Sequence, residues 1–156
     1  MNIRSGRVVR VFVLTWAAAL ILIAASATGC GNPDRVILAH MNEAEKERFL
    51  SGRSVAGPCW ICHDLAGTVQ KVGPPLLGIY GRSSGHAPGY EASSAMIAAM
   101  IVWDDRSLAA FLVDPAAFVP GNRMVSPGIQ NRAALTDLLF YLRHVTRPGA
   151  RTSEDS

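Results

Sequence analysis

Cys59-Trp60-Ile61-Cys62-His63, preceded by Gly57-Pro58, is the stretch on which the reading of the whole chain turns. Two thiols separated by two residues, with an imidazole directly after the second, form the attachment sequence for c-type haem. The thiols add across the haem vinyl groups, and the adjacent His is held where its ring can ligate the iron. A structural zinc site would need four ligands, and no second Cys or His pair stands at zinc spacing. A thioredoxin-like redox motif would need a βαβ context and places its Gly-Pro between the cysteines, whereas here Gly57-Pro58 precede them.

Outward from this segment the pattern is helical. Upstream, Asn42 offers an N-cap with Glu45 at the capping-box position, and Glu43, Glu45 and Glu47 favour a helix N-terminus, so the sequence predicts a helix over 43–55. Downstream, Val72 to Gly89 holds five Gly and three Pro and reads as a wrapping loop of turns and extended chain. A short helical piece is expected around 93–100. Asp104 caps a helix over 105–113 with Leu108, Phe111 and Leu112 on its apolar face, closed by Asp114-Pro115. Leu135, Leu138, Leu139 and Leu142 recur at helical spacing and predict a last helix over 131–145, stopped before Pro148-Gly149. No strand alternation, internal repeat or βαβ pattern is present. The class is all-α, with one domain at 42–146, a linker at 31–41 and a polar, disordered tail at 147–156.

The first thirty residues differ in composition. Arg4, Arg7 and Arg10 precede an uncharged, mostly aliphatic run from Val11 to Gly29, which addresses the chain for export and is long enough to span a bilayer. Ala27-Thr28-Gly29-Cys30 resembles a bacterial lipobox, in which Cys30 is acylated. Ala25-Ser26-Ala27 offers an ordinary signal peptidase site instead, and an uncleaved helix is the third ending. Two of the three leave the protein anchored at the periplasmic face of a bacterial membrane. If Cys30 carries lipid, the only other cysteines are Cys59 and Cys62. Residues 31–156 carry twelve charges of each sign, so the basic character of the whole chain comes from the leader and gives no footprint for nucleic acid.

Four further segments make a family resemblance specific. Val72-Gly73-Pro74-Pro75-Leu76-Leu77-Gly78-Ile79-Tyr80-Gly81-Arg82, His86-Ala87-Pro88-Gly89-Tyr90, Ile101-Val102-Trp103 and Val119-Pro120-Gly121-Asn122-Arg123-Met124 resemble, in order, the signature segments of the mitochondrial-type class I cytochrome c family. The resemblance spans about residues 42–146. It implies the class I cytochrome c fold, helices wrapped around one covalently bound haem c. It also implies that Cys59 and Cys62 carry the haem, that His63 is the proximal iron ligand and that Met124 is the distal one. The Pro74 carbonyl would accept a hydrogen bond from the second nitrogen of His63. Arg82 and Trp103 would bond the haem propionates, and Asn122, where the family often has a hydroxyl, would serve similarly. The last helix would cross the first through Leu138 and Tyr141.

The residues agree on the chemistry. His and Met together fill both axial positions, so oxygen finds no open site, and the soft thioether favours ferrous iron. Met96 and Met100, four residues apart, read as core residues, and His40, His86 and His144 as surface or loop residues. Departures from the family pattern include Ala92 and Ser126 near the haem edge, and Ser51 and Val55 where the first helix usually offers Gly and Phe to the last. The function implied is single-electron transfer between membrane-bound respiratory or photosynthetic complexes, such as quinol-cytochrome c reductase and cytochrome c oxidase. The alternatives are a haem subunit of one dehydrogenase and, from another class, a haem sensor or peroxidase-like enzyme, which would need an exchangeable distal site.

Overall fold

The computed structural model of the chain describes residues 33–151, and the export run and Cys30 lie outside the described residues. In chain order the helices are α1 (Arg35–Ala39), α2 (Glu43–Val55), α3 (Cys59–Cys62), α4 (Ser94–Ala98), α5 (Asp105–Val113), α6 (Pro115–Phe118) and α7 (Arg132–Val145). The only sheet-like pairing among the described residues is an isolated antiparallel bridge between Ser83 and Val102. The fold is all-α.

Caps define the helix starts. Asn42 Oδ1 accepts from the Glu45 N–H at 3.0 Å, and Glu45 Oε2 accepts from the Asn42 N–H at 2.9 Å, a complete capping box that fixes where α2 begins. Asp104 and Ser107 repeat the device at α5. Ser93, Asp114 and Asn131 each accept from an N–H in the first turn of α4, α6 and α7. Asp114 therefore does more than end α5, since it also starts α6 with Pro115 at a position where no N–H is needed.

The frame of the domain is the crossing of α2 over α7. Leu138 and Tyr141 are fully buried there, and the Phe49 ring meets Tyr141 edge-on at 4.9 Å. The register differs from the one expected. Ser51 is exposed and its hydroxyl donates to Asp137 at 2.7 Å, while the contact is made by Gly52, with Phe49 and Ala56 buried to either side. A Cβ on Gly52 would lie 2.0 Å from the Asp137 carbonyl oxygen and 2.7 Å from Tyr141 Cβ. The two backbones thus touch at the one residue with no side chain, shifted one place towards the cysteines. Ser51 and Val55 are not gaps in the contact.

Three other segments differ from expectation for identifiable reasons. Residues 35–39, expected as linker, form α1, whose Ile37 is buried in the core. The tail is ordered as far as it is described: Ala150 is buried, and Arg151 donates to the Asp34 carboxylate at 2.6 and 2.9 Å. Asp34 is fully buried and also pairs with Arg53 at 3.2 Å, so one carboxylate joins the domain's entry, α2 and the tail. Met100 is not core. Helix α4 stops at Ala98, so the four-residue spacing from Met96 does not continue on one helix face. Met96 packs on the core, whereas Met100 is 80% exposed with a left-handed φ of 48°.

The crossing yields a test. In an open helix, Gly→Ala stabilises by up to about 1 kcal/mol. At Gly52 the added methyl strikes backbone, which cannot rotate away, so Gly52→Ala should destabilise the holoprotein by about 3 kcal/mol. Ser51→Ala, which loses one exposed hydrogen bond, should cost about 1 kcal/mol or less. Denaturant midpoints of the two variants check the pair.

Candidate haem site

The Cys59–His63 segment leaves α2 through Ala56 and Gly57 and closes a single helical turn, with the His63 N–H on the Cys59 carbonyl at 2.9 Å. Both thiols are free and half-buried on that turn. Burial pushes the Cys59 thiol up from its ordinary value. His63 follows in extended conformation, so its side chain departs from the turn that carries the thiols.

His63 is held from two sides. Its Nδ1 lies 2.8 Å from the Pro74 carbonyl, which can only accept, so Nδ1 carries the proton and Nε2 presents a bare lone pair. Gly73 packs on the ring: a Cβ there would fall 2.4 Å from Cε1. Gly73 N–H in turn donates to the Cys62 carbonyl at 2.8 Å, which ties the Gly73-Pro74 corner back to the attachment segment. Burial, partly offset by the Pro74 bond, lowers the His63 pKa and keeps the imidazole neutral, the form that donates to a metal.

The loop then carries Arg82 to Trp103. Gly81 N–H donates to the Trp103 carbonyl at 2.8 Å, Trp103 N–H to the Arg82 carbonyl at 3.0 Å, and Ser84 N–H to the Ile101 carbonyl at 2.7 Å. This short ladder holds Arg82 and Trp103 side by side. The Arg82 guanidinium donates to the Pro75 and Leu77 carbonyls at 3.0 and 3.1 Å, and burial lowers its pKa. Its charge meets no carboxylate among the ion pairs of the described residues. A half-buried cation with donors to spare suits an anionic group of a cofactor. Trp103 is buried against Phe111 at 5.3 Å, and Phe111 meets Phe118 at 6.3 Å.

That aromatic run ends beside the loop bearing Met124, which is half-buried and packs on the core. Asn122 is occupied locally: its amide nitrogen donates to the Pro115 and Val119 carbonyls at 2.6 and 2.8 Å, and its oxygen accepts from the Met124 N–H at 2.8 Å. Residues from His63 through Pro74, Arg82, Trp103 and Phe111 to Met124 therefore form a continuous bracket. The donor set fits a haem: paired thiols, an imidazole with a free Nε2, an unpaired cation and an apolar wall. Gly73, which sequence reasoning quoted only as part of a motif, is revealed as the spacer that gives the His63 ring its room. Its signal was the Gly-Pro pair following the attachment segment.

Comparison with known proteins decides the family. No family model matches the chain. Cytochrome c of Sesamum indicum is 34% identical over 110 residues, covering 69% of this chain and 99% of the relative. The chain belongs to the class I cytochrome c family. Cytochrome c2 of Blastochloris viridis is 31% identical over 117 residues, covering 74% of this chain and 92% of the relative. Among solved structures, cytochrome cH from Methylobacterium extorquens superposes with a TM-score of 0.57 at 36% identity, covering 60% of this chain and 95% of that one. Cytochromes c carry covalent haem c and transfer electrons; this cytochrome is an electron-transfer protein and not an enzyme.

The bracket predicts a response at Gly73. Gly73→Ala drives a methyl into the His63 ring and should lower the stability of the holoprotein by about 1–3 kcal/mol, together with its yield. Gly67→Ala, which displaces the Asp64 carboxylate from the Gly67 and Val69 N–H groups without touching His63, should cost about 1 kcal/mol and leave the haem yield unchanged. Denaturant midpoints of the haem-loaded variants check both.

Proposed function

We propose that this cytochrome is a membrane-tethered carrier with one haem c, moving electrons between membrane-bound complexes on the periplasmic face of a bacterium. Quinol-cytochrome c reductase or a dehydrogenase supplies the electrons, and a terminal cytochrome c oxidase takes them. The haem supplies the one-electron chemistry. The protein's residues hold it: Cys59 and Cys62 through thioethers, His63 and Met124 on the iron, and Arg82 and Trp103 at the propionates.

Charge placement carries the tethered reading. A freely diffusing carrier finds its partner faster when a one-signed patch steers it. Outside the leader this chain carries twelve charges of each sign. Two cations in or beside the haem-binding segments are folded back onto the protein's own backbone: Lys71 Nζ donates to the Trp60 carbonyl at 2.6 Å, and Arg123 donates to the Glu91 carbonyl. Confinement to the membrane replaces steering, because it raises the effective concentration of the partner as a linker does. The apolar run from Val11 to Gly29 and the lipobox ending at Cys30 provide the anchor.

Stopped-flow oxidation of the reduced protein by oxidase-containing membranes tests this. Between about 0.01 and 0.15 M ionic strength the Debye length shrinks from about 30 to about 8 Å, yet the full chain should slow by only about twofold. A form lacking residues 1–30 should lose most of its rate at equal concentration, and Cys30→Ser should take up no labelled lipid. A steep fall with salt, or a truncated form that is equally fast, would overturn the tethered model.

A further inference from the structure

We infer that Asn122 is a positioning residue for the distal ligand: its side chain fixes the backbone at Met124 through three hydrogen bonds that a hydroxyl cannot make. The inference rests on the reading of Met124 as the distal ligand.

The loop from Pro120 to Gly128 has almost no main-chain bonds of its own. Among its residues the one backbone–backbone hydrogen bond runs from the Asn122 N–H to the Val119 carbonyl at 3.1 Å. That bond closes a turn with Pro120 first and Gly121, at φ 87°, second, the residue pattern of a type II turn. The loop is pinned again by the Arg123 guanidinium, a long side chain that donates to the Glu91 carbonyl, and at its far end, where the Ile129 N–H donates to the Leu112 carbonyl at 2.9 Å. Met is unbranched with three rotatable bonds, so its side chain holds a set position only if the backbone and neighbours do.

Asn122 supplies the missing bonds. Its Nδ2 donates to Pro115 O at 2.6 Å and Val119 O at 2.8 Å, gripping α6 and the turn, while Oδ1 accepts from Met124 N at 2.8 Å. The assignment of N and O follows from the partners: two are carbonyls, which only accept, and one is an N–H, which only donates. An amide matches this set of two donors and one acceptor. Serine or threonine has one donor and cannot hold both carbonyls. The loop can therefore detach only by giving up the Asn122 contacts, and an added ligand reaches the iron only while Met124 is away.

Imidazole binding to the ferric holoprotein is the readout, because its apparent affinity scales with the fraction of loops detached. Asn122→Asp keeps the acceptor for Met124 but sets a carboxylate against two carbonyls, and Asn122→Leu removes all three bonds. Each should raise imidazole affinity about tenfold or more and weaken the sulfur-to-iron absorption band, since one net hydrogen bond is worth about a factor of ten. Asn131→Ala removes the N-cap of α7, past the loop's pinned end and outside the three contacts that Asn122 makes. It should lower the unfolding midpoint yet leave imidazole affinity within about twofold. Should Asn122→Asp fail to load haem, Asn122→Thr keeps one donor and one acceptor and should give an intermediate rise.

Wild-type imidazole affinity in the Asn122 variants would overturn the positioning role. So would an equal rise in Asn131→Ala, which would make the effect one of general stability. Met124→Ala separates the two readings. If the wild type lacks the sulfur band and Met124→Ala binds imidazole no more tightly, the ligand assignment falls and this inference with it. If Met124→Ala binds tightly while the Asn122 variants stay silent, the positioning role alone falls.

Discussion

The backbone contact between α2 and α7 at Gly52 is the constraint on which the rest of this cytochrome depends. Helix packing is usually a matter of side chains in grooves, but here a Cβ would fall 2.0 Å from the Asp137 carbonyl, so the approach is set by main chain. Phe49, Leu138 and Tyr141 close around it, all fully buried. From one end of this frame the chain runs into the Cys59–His63 segment, and Pro74, Arg82, Trp103 and Met124 all stand on loops outside the helices. A haem bound here adds apolar surface to a core that the protein already builds from residues such as Phe49, Leu65, Leu108 and Leu138.

The loops show two ways of managing polar groups near an apolar cofactor. Arg82 spends two hydrogen bonds on the Pro75 and Leu77 carbonyls and keeps its charge available for a carboxylate that is not part of the protein. Asn122 uses its two amide hydrogens and its carbonyl oxygen inside the loop. The first arrangement fits binding and the second fits shape. His63 combines both, since the bond of Nδ1 to Pro74 fixes the ring and leaves the Nε2 lone pair able to donate to a metal.

Much of this was legible in the sequence where the signal is local. The capping pair Asn42 and Glu45, the Asp104 cap and the leucine spacing of α7 located three helices, because caps and periodicity act within a turn or two. The attachment motif announced the haem, and the family segments named Pro74, whose carbonyl meets His63 Nδ1. What was not legible depends on contacts between distant residues or on a one-residue register. Nothing near Asp34 announces that Arg151 will reach it across 117 positions, and so the tail read as disordered. Gly52 and Ser51 are neighbours, and only the packed helix reveals which one touches α7. Met100 carries the right residue type for a core at the right spacing, but the helix ends before it.

The central claim is that His63 and Met124 close both faces of one haem, leaving a site for electrons and none for ligands. Carbon monoxide binding to the ferrous full-length holoprotein tests it most directly. The wild type should remain spectrally unchanged under the gas, Met124→Ala should bind it, and Met96→Ala should behave as wild type, since Met96 packs in the core. A wild-type protein that binds carbon monoxide, or a Met124→Ala variant that stays closed, would contradict the account.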